Sequence, residues 1–259
     1  MRIIVTGKGG TGKTVISILL ARALRELGET VYLLDMDESN ELIYSLLGVE
    51  PPEPLVSLFG GRAGLSAKLK GEGESGVLRA IQEITGKTLE ASALREPYVR
   101  TSPEGIKLIV VGKIRRFSEG CACPLNAFTR TLMRNLKLRD NETLIVDTDA
   151  GIEHVGRGVE DSCDEIVTVV DPTRESIQLA KYLREVAYTL GKKFRLILNK
   201  VTPDIEPKLR RIIEEQGLQI DCIVPFDEKV YNSCLLGTRL EADSAYRSIT
   251  DFVKRIYSS

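Results

Sequence analysis

The stretch Gly7-Lys8-Gly9-Gly10-Thr11-Gly12-Lys13-Thr14 constrains this chain more than any other. It is preceded by Arg2–Thr6, a short β-branched run that reads as a strand. It is followed by Thr14–Leu27, apolar at helical spacing and closed by Gly28. A glycine, four residues, then Gly-Lys-Thr between a strand and a helix is the Walker A pattern of a phosphate loop. Glycines let backbone N–H groups converge on phosphate oxygens, and the positive end of the following helix points at the same anion. The pattern predicts that Gly7, Gly9, Gly10, Thr11 and Gly12 line a nucleoside triphosphate, ATP by expectation. Lys13 then neutralises its β- and γ-phosphates and the Thr14 hydroxyl ligates Mg²⁺.

Gly7, Gly9 and Gly12 also satisfy G-x-G-x-x-G, the dinucleotide fingerprint, with Asp35 roughly where a ribose-binding acid would stand. Two features argue for a triphosphate instead. Lys13-Thr14 supplies a cation and a metal-binding hydroxyl that a dinucleotide site does not need, and a second acidic strand end, Asp147, supplies a metal acid.

The rest of the chain alternates strands with helices. Thr30–Leu34, Leu108–Val111, Leu144–Val146, Ile166–Val170 and Arg195–Leu198 are apolar runs suited to strands covered on both faces. Helices are expected at Leu125–Leu138, Thr173–Leu190, Ile205–Gln216 and Ser244–Tyr257. The fold class is therefore α/β: a doubly wound, mostly parallel sheet with helices on both faces, in one domain spanning 1–259. Residues 48–105 break the rhythm with Pro51-Pro52-Glu53-Pro54 and the glycine-rich Gly71–Gly76. They read as an irregular insertion on one edge with short helical stretches such as Val77–Ile84, followed by a hairpin of Tyr98–Thr101 with Ile106–Val111.

Composition narrows the function. The net charge of -1 gives no field favouring nucleic acid. No apolar run approaches the roughly 20 residues that cross a bilayer, and the N-terminus carries no signal-peptide pattern, so a cytoplasmic protein is expected. There the five cysteines are buried, reactive or metal-bound rather than disulfide-bonded. Cys121-Ala122-Cys123 brings two thiols together. One chain offers only two of the four ligands of a closed thiolate site, and a twofold dimer would supply four. Such ligands select Ni²⁺, Zn²⁺ or Cu(I) over Mg²⁺, and Lys113, Arg115 and Arg116 upstream favour the thiolates. Taken alone, the pair is equally readable as reduced structural thiols or a redox pair. Cys163, Cys222 and Cys234 stand in apolar or helical contexts and read as core.

Lys8, a second lysine in the loop, completes K-G-G-x-G-K-T, which resembles the deviant Walker A motif of the MinD/ParA group of ATPases. By that resemblance Lys8 reaches across a nucleotide-sandwich homodimer to the partner's phosphates. Asp35 helps hold the Mg²⁺ shell and Asp37 orients the attacking water. Asp147, opening Asp147-Thr148-Asp149-Ala150-Gly151, resembles the Walker B acid before a switch loop and contacts the metal, while Gly151 gives that loop freedom. Asn199 pairs with adenine, and the loop of Pro225 and Asp227 closes on the base. Together with Cys121/Cys123, the stretch Ala150-Gly151-Ile152-Glu153-His154-Val155-Gly156-Arg157-Gly158 resembles the CooC family. These are nickel-insertion ATPases that mature carbon monoxide dehydrogenase. The resemblance implies that Cys121 and Cys123 bind nickel, or zinc in the same site, at the dimer interface for delivery to a client such as carbon monoxide dehydrogenase. His154 reads as a switch-region residue rather than a ligand. The rival is a MinD/ParA positioning ATPase, for which Ile249, Phe252, Val253 and Ile256 would form a membrane-binding stripe beside Lys254 and Arg255. Docking of that last helix on the core explains the stripe more simply. A third reading is a redox or iron–sulfur partner protein.

Overall fold

The computed structural model describes residues 1–37, 42–112, 123–149 and 160–258. Among these residues eight strands form one sheet: β1 Arg2–Thr6, β2 Thr30–Asp35, β3 Arg100–Thr101, β4 Lys107–Val110, β5 Glu142–Asp147, β6 Glu165–Val170, β7 Lys193–Val201 and β8 Cys222–Pro225. Their order is β3-β4-β2-β5-β1-β6-β7-β8. Every pairing is parallel except β3 with β4. The helices are α1 Lys13–Glu26, α2 Leu42–Leu47, α3 Arg62–Ile84, α4 Cys123–Asn135, α5 Arg174–Thr189, α6 Glu206–Glu215, α7 Glu228–Leu236 and α8 Ser244–Tyr257.

Alternation along the strands sorts the core into two layers. Ile3, Val5, Val31, Leu33, Ile145 and Val167 point to one face and pack with α1, α2 and α8. Ile4, Tyr32, Leu34, Leu144, Val146 and Ile166 point to the other and pack with α3 and α4, while α5 and α6 cover β6 and β7 on that side. This is the doubly wound architecture that the unbroken apolar runs imply. α1 meets the sheet through Ile16, Leu19, Leu20, Ala23 and Leu24, one stripe at helical spacing with each residue at most 1% exposed.

The strand order reverses around β1. β2, β4 and β5 lie on one side of it and β6, β7 and β8 on the other. That reversal opens a crevice at the carboxyl end of β1, where ligands of open α/β sheets bind. Gly7–Gly12 occupies it.

Residues 48–105 are more regular than their composition implied. They hold the helical turn Leu55–Phe59 and the 23-residue α3, bent at Gly73, where φ is 61°. Gly71, Gly73 and Gly76 weaken helix locally, but Leu65, Val77 and Ile81 are fully buried against α4 and the sheet, and that packing outweighs the propensity. The segment thus covers a sheet face as well as supplying the edge hairpin. That hairpin is as expected, with Arg100 opposite Leu108 and Thr101 opposite Lys107. α2 and α7 were not anticipated. α8 begins and ends where the periodicity placed it.

Candidate functional site

α1 starts without a side-chain cap. Its N-cap is Gly12, at φ 97° and ψ 25°, no acid stands in its first turn, and Lys13 is its first residue. The exposed N–H groups and the dipole are left for an anion. The loop before it needs its glycines for space as well as for conformation. A Cβ on Gly7 would come within 2.3 Å of the Val169 carbonyl oxygen, and one on Gly12 within 2.5 Å of the Asn199 amide nitrogen. Gly10, at φ 80°, provides the left-handed turn between them. The Lys8 carbonyl gathers three donors: the Thr11 N–H at 3.3 Å, the Thr11 hydroxyl at 2.9 Å and the Lys13 ammonium at 3.3 Å. Lys13 is therefore drawn over the cradle by the loop itself. It is 7% exposed, and burial lowers its pKa against the opposing pull of Asp147, Asp37 and Asp149.

The strand register brings the acids together. Asp35 ends β2 and Asp147 ends β5, and the two are direct register partners, with Val5 beside Asp147 on β1. Asp147 is fully buried. Its carboxylate accepts from the Thr14 hydroxyl at 2.7 Å and the Ser17 hydroxyl at 3.1 Å. Burial nevertheless pushes its pKa up to about 6, because those two hydroxyls and Lys13 only partly offset the lost hydration, and Asp37 adds to the rise. Asp35 is also buried and accepts from the Asp37 N–H at 2.9 Å, so the 35–37 turn presents Asp37 to the cavity over Lys13. Buried carboxylates beside a hydroxyl are hard oxygen donors that suit Mg²⁺. Thr14, Asp35 and Asp147 fit that ion.

From this polar end a cavity of about 350 Å³ runs outward between β7, β8 and α7. Asn199 lies at its floor, and Pro225, Phe226, Tyr231 and Cys234 form the far, apolar end. The Asn199 amide is not idle. Its Nδ2 donates to the Thr11 carbonyl at 2.8 Å, so it ties β7 to the loop. Asp227, also in the cavity wall, has a structural part that the sequence did not announce. It caps α7, accepting from the Lys229 N–H at 3.0 Å and the Val230 N–H at 3.4 Å. Its second oxygen accepts from the Asp243 and Ala245 N–H groups at 2.8 and 3.0 Å and from the Ser244 hydroxyl at 3.2 Å. Burial favours the neutral acid, but those N–H groups outweigh it and hold the carboxyl below its usual range. Asp227 lines the cavity and braces α7 against the start of α8.

Lys8 extends away from the cradle, and its ammonium is held by Glu175 in the first turn of α5. Among the described cysteines, Cys163 and Cys222 are core residues, as their contexts implied, while Cys234 is half-buried in the cavity wall. Cys121, Gly151 and His154 lie outside the described residues, as do Lys113, Arg115 and Arg116. Cys123 is placed only as the first residue of α4. Among the described residues no group of three or more His, Cys, Asp or Glu could hold a metal ion. Sequence reading missed Ser17, which stands one turn beyond Thr14 on the same side of α1, a spacing that could have revealed it. It also missed Lys200, Glu175 and Tyr231, which only the fold brings to the site.

The apolar stripe of α8 is occupied. Ile249, Phe252 and Val253 are at most 1% exposed against the core, and Ile256 packs beside them. No helix among the described residues is long and apolar enough to cross a membrane.

Comparison with known proteins places the chain. Residues 2–116 match the CobQ/CobB/MinD/ParA nucleotide binding domain family. An uncharacterized ATP-binding protein of Methanocaldococcus jannaschii is 37% identical over 94% of this chain and 95% of its own length. The carbon monoxide dehydrogenase accessory protein CooC of Rhodospirillum rubrum is 34% identical over 89% of this chain and 85% of its own. In fold, the chain is similar to the septum site-determining protein MinD complexed with Mg-ADP from Pyrococcus horikoshii. The TM-score is 0.67 at 15% identity, covering 99% of this chain and 95% of that one. The phosphate loop with its second lysine, the paired strand-end acids and these likenesses agree: the chain belongs to the CooC-type deviant Walker A ATPases of the MinD/ParA group.

Proposed function

We propose that this protein is an ATP-driven metallochaperone that carries nickel on Cys121 and Cys123 and delivers it to carbon monoxide dehydrogenase or a related enzyme. Residues 1–259 act as one P-loop unit, in a reducing cytoplasm where both thiols stay available as ligands. One observation carries the reading beyond ATP hydrolysis. β4 ends at Val110, the register partner of Asp35, and the connection bearing the cysteine pair leaves the sheet there and returns as α4 at Cys123. The described strand end before that segment, Val110, thus stands at the same carboxyl edge as Asp35, on the neighbouring strand.

ATP binds with its phosphates on Gly7–Thr14 and its base toward Asn199 and Pro225. Mg²⁺, held by Thr14, Asp35 and Asp147, supplies positive charge to the phosphate oxygens. Lys13 neutralises the transferring phosphoryl group, and the Asp37 carboxylate, presented to the cavity by the 35–37 turn, positions the attacking water. Lys8 leaves Glu175 and stabilises charge on the partner's nucleotide when two copies close face to face. Closure pairs the Cys121/Cys123 motifs into a four-thiolate site for Ni²⁺, which Zn²⁺ also fits. Hydrolysis to ADP and phosphate reopens the dimer and releases the cargo. The buried stripe of α8 disfavours the rival membrane-positioning role, since that helix would have to abandon its contacts with α1 and β8.

Equilibrium dialysis against Ni²⁺, with ADP and with a non-hydrolysable ATP analogue, tests the reading on the unsubstituted protein and on Cys121→Ser/Cys123→Ser. The expected result is about one nickel per dimer, sensitive to the nucleotide and lost in the double variant. Full, ATP-sensitive nickel binding by the double variant overturns it.

A further inference from the structure

We infer that Lys200, with Asn199, is a positioning residue for the triphosphate: a clamp on the outer side of the phosphate loop, in which Lys200 fixes the Gly10 turn and Asn199 aims the Gly12 N–H at the anion. The inference rests on the nucleotide site proposed above. It begins with an irregularity in β7. Leu198 pairs with Ile223, but Val201 pairs with Pro225, so three steps on β7 match two on β8. The extra residue is a bulge, and Lys200 within it has φ 61°, a left-handed conformation that a lysine rarely adopts.

In a regular strand Asn199 and Lys200 would point to opposite faces of the sheet. The bulge turns both onto the same piece of backbone. Asn199 Nδ2 donates to the Thr11 carbonyl at 2.8 Å, and Lys200 Nζ donates to the Gly10 carbonyl at 2.5 Å. The approach is close enough that a Cβ on Gly12 would meet the Asn199 amide at 2.5 Å and the Lys200 Cε at 3.9 Å. A trans peptide holds its N–H opposite its C=O. Pulling the Thr11 carbonyl toward β7 therefore turns the Gly12 N–H the other way, into the cradle. A strained residue at the rim of a cavity, making a specific contact with a ligand loop, is what functional positioning requires. The ammonium also adds a third lysine to the phosphate end, beside Lys8 and Lys13, yet its bond goes to the loop and not to where phosphate would lie.

A clamp acts on every nucleotide that uses the loop, so it should affect ATP and ADP alike. Lys200→Gly removes the contact and at the same time relieves the backbone strain. Lys200→Arg keeps a donor of similar reach. Binding of Mg·ATP and Mg·ADP is measured by isothermal titration calorimetry, and melting of the nucleotide-free protein by differential scanning calorimetry. The expected result is a loss of about tenfold for both nucleotides in Lys200→Gly, with melting unchanged or raised, and substantial recovery in Lys200→Arg. Unchanged affinities overturn the inference. So does a loss confined to ATP, which would make Lys200 a γ-phosphate contact, and so does a clear drop in melting temperature, which would make the bulge purely structural. If the unsubstituted protein binds neither nucleotide, it is the proposed site that fails.

Discussion

Asp147→Asn should stabilise the nucleotide-free protein while weakening its hold on Mg·ATP. Asp147 is fully buried, and its folded pKa of about 6 lies well above the ordinary aspartate value of 3.8. At 1.36 kcal/mol per unit, its ionisation in the folded state costs about 3 kcal/mol relative to the unfolded chain. The sign follows from the proton count. Between the two pKa values the folded state holds the proton that the unfolded state has lost. Stability is therefore fully present below the unfolded value and falls as pH rises through about 6. Asparagine imitates the protonated acid, still able to meet the Thr14 and Ser17 hydroxyls, and does not ionise. Urea unfolding without metal or nucleotide should find Asp147→Asn more stable by about 3 kcal/mol at pH 7.5, a gap that closes as pH falls toward 4. In parallel titrations the variant should bind Mg·ATP more weakly, because the charge that burdens the empty fold is the charge that a divalent cation uses. A variant less stable than the parent at pH 7.5, or a gap that does not change with pH, would refute the reasoning.

Two further outcomes follow from the contacts around the site. Glu175→Gln removes the anion that holds Lys8, so nucleotide-dependent dimers should form at lower protein concentration, as read by light scattering across a dilution series; no change would show that the pair does not restrain Lys8. Asp227→Ala strips the cap from α7 and leaves the start of α8 unbraced, which should lower stability by about 2 kcal/mol in chemical denaturation and weaken ATP binding through the loosened base end.

Much of the site was legible in the chain because its chemistry is local. Gly7–Thr14 carries in eight consecutive residues the conformational freedom, the cation and the hydroxyl that a triphosphate needs, and the runs before Asp35 and Asp147 announce strands covered on both faces. The periodicity of α8 gave its bounds and its docked face. A strand's C-terminal acid can be recognised from its own neighbours, so the two carboxylates could be named before their register was known.

What no reading of the chain could supply were relations between distant segments. Asp35 and Asp147 are register partners because β5 inserts between β1 and β2, a choice made by the whole sheet. Asp227, in the loop expected to close on the base, also accepts from five donors of α7 and the start of α8. Lys200 reaches Gly10 only because a one-residue bulge in β7 aims it there. The glycines of Gly71–Gly76 argued locally against the helix that burial of Val77 and Ile81 enforces. Local sequence determines what each segment can do, since propensity and motif chemistry act over a few residues. Which groups meet, and which charges must share a buried space, is decided only when long-range packing closes the sheet around them.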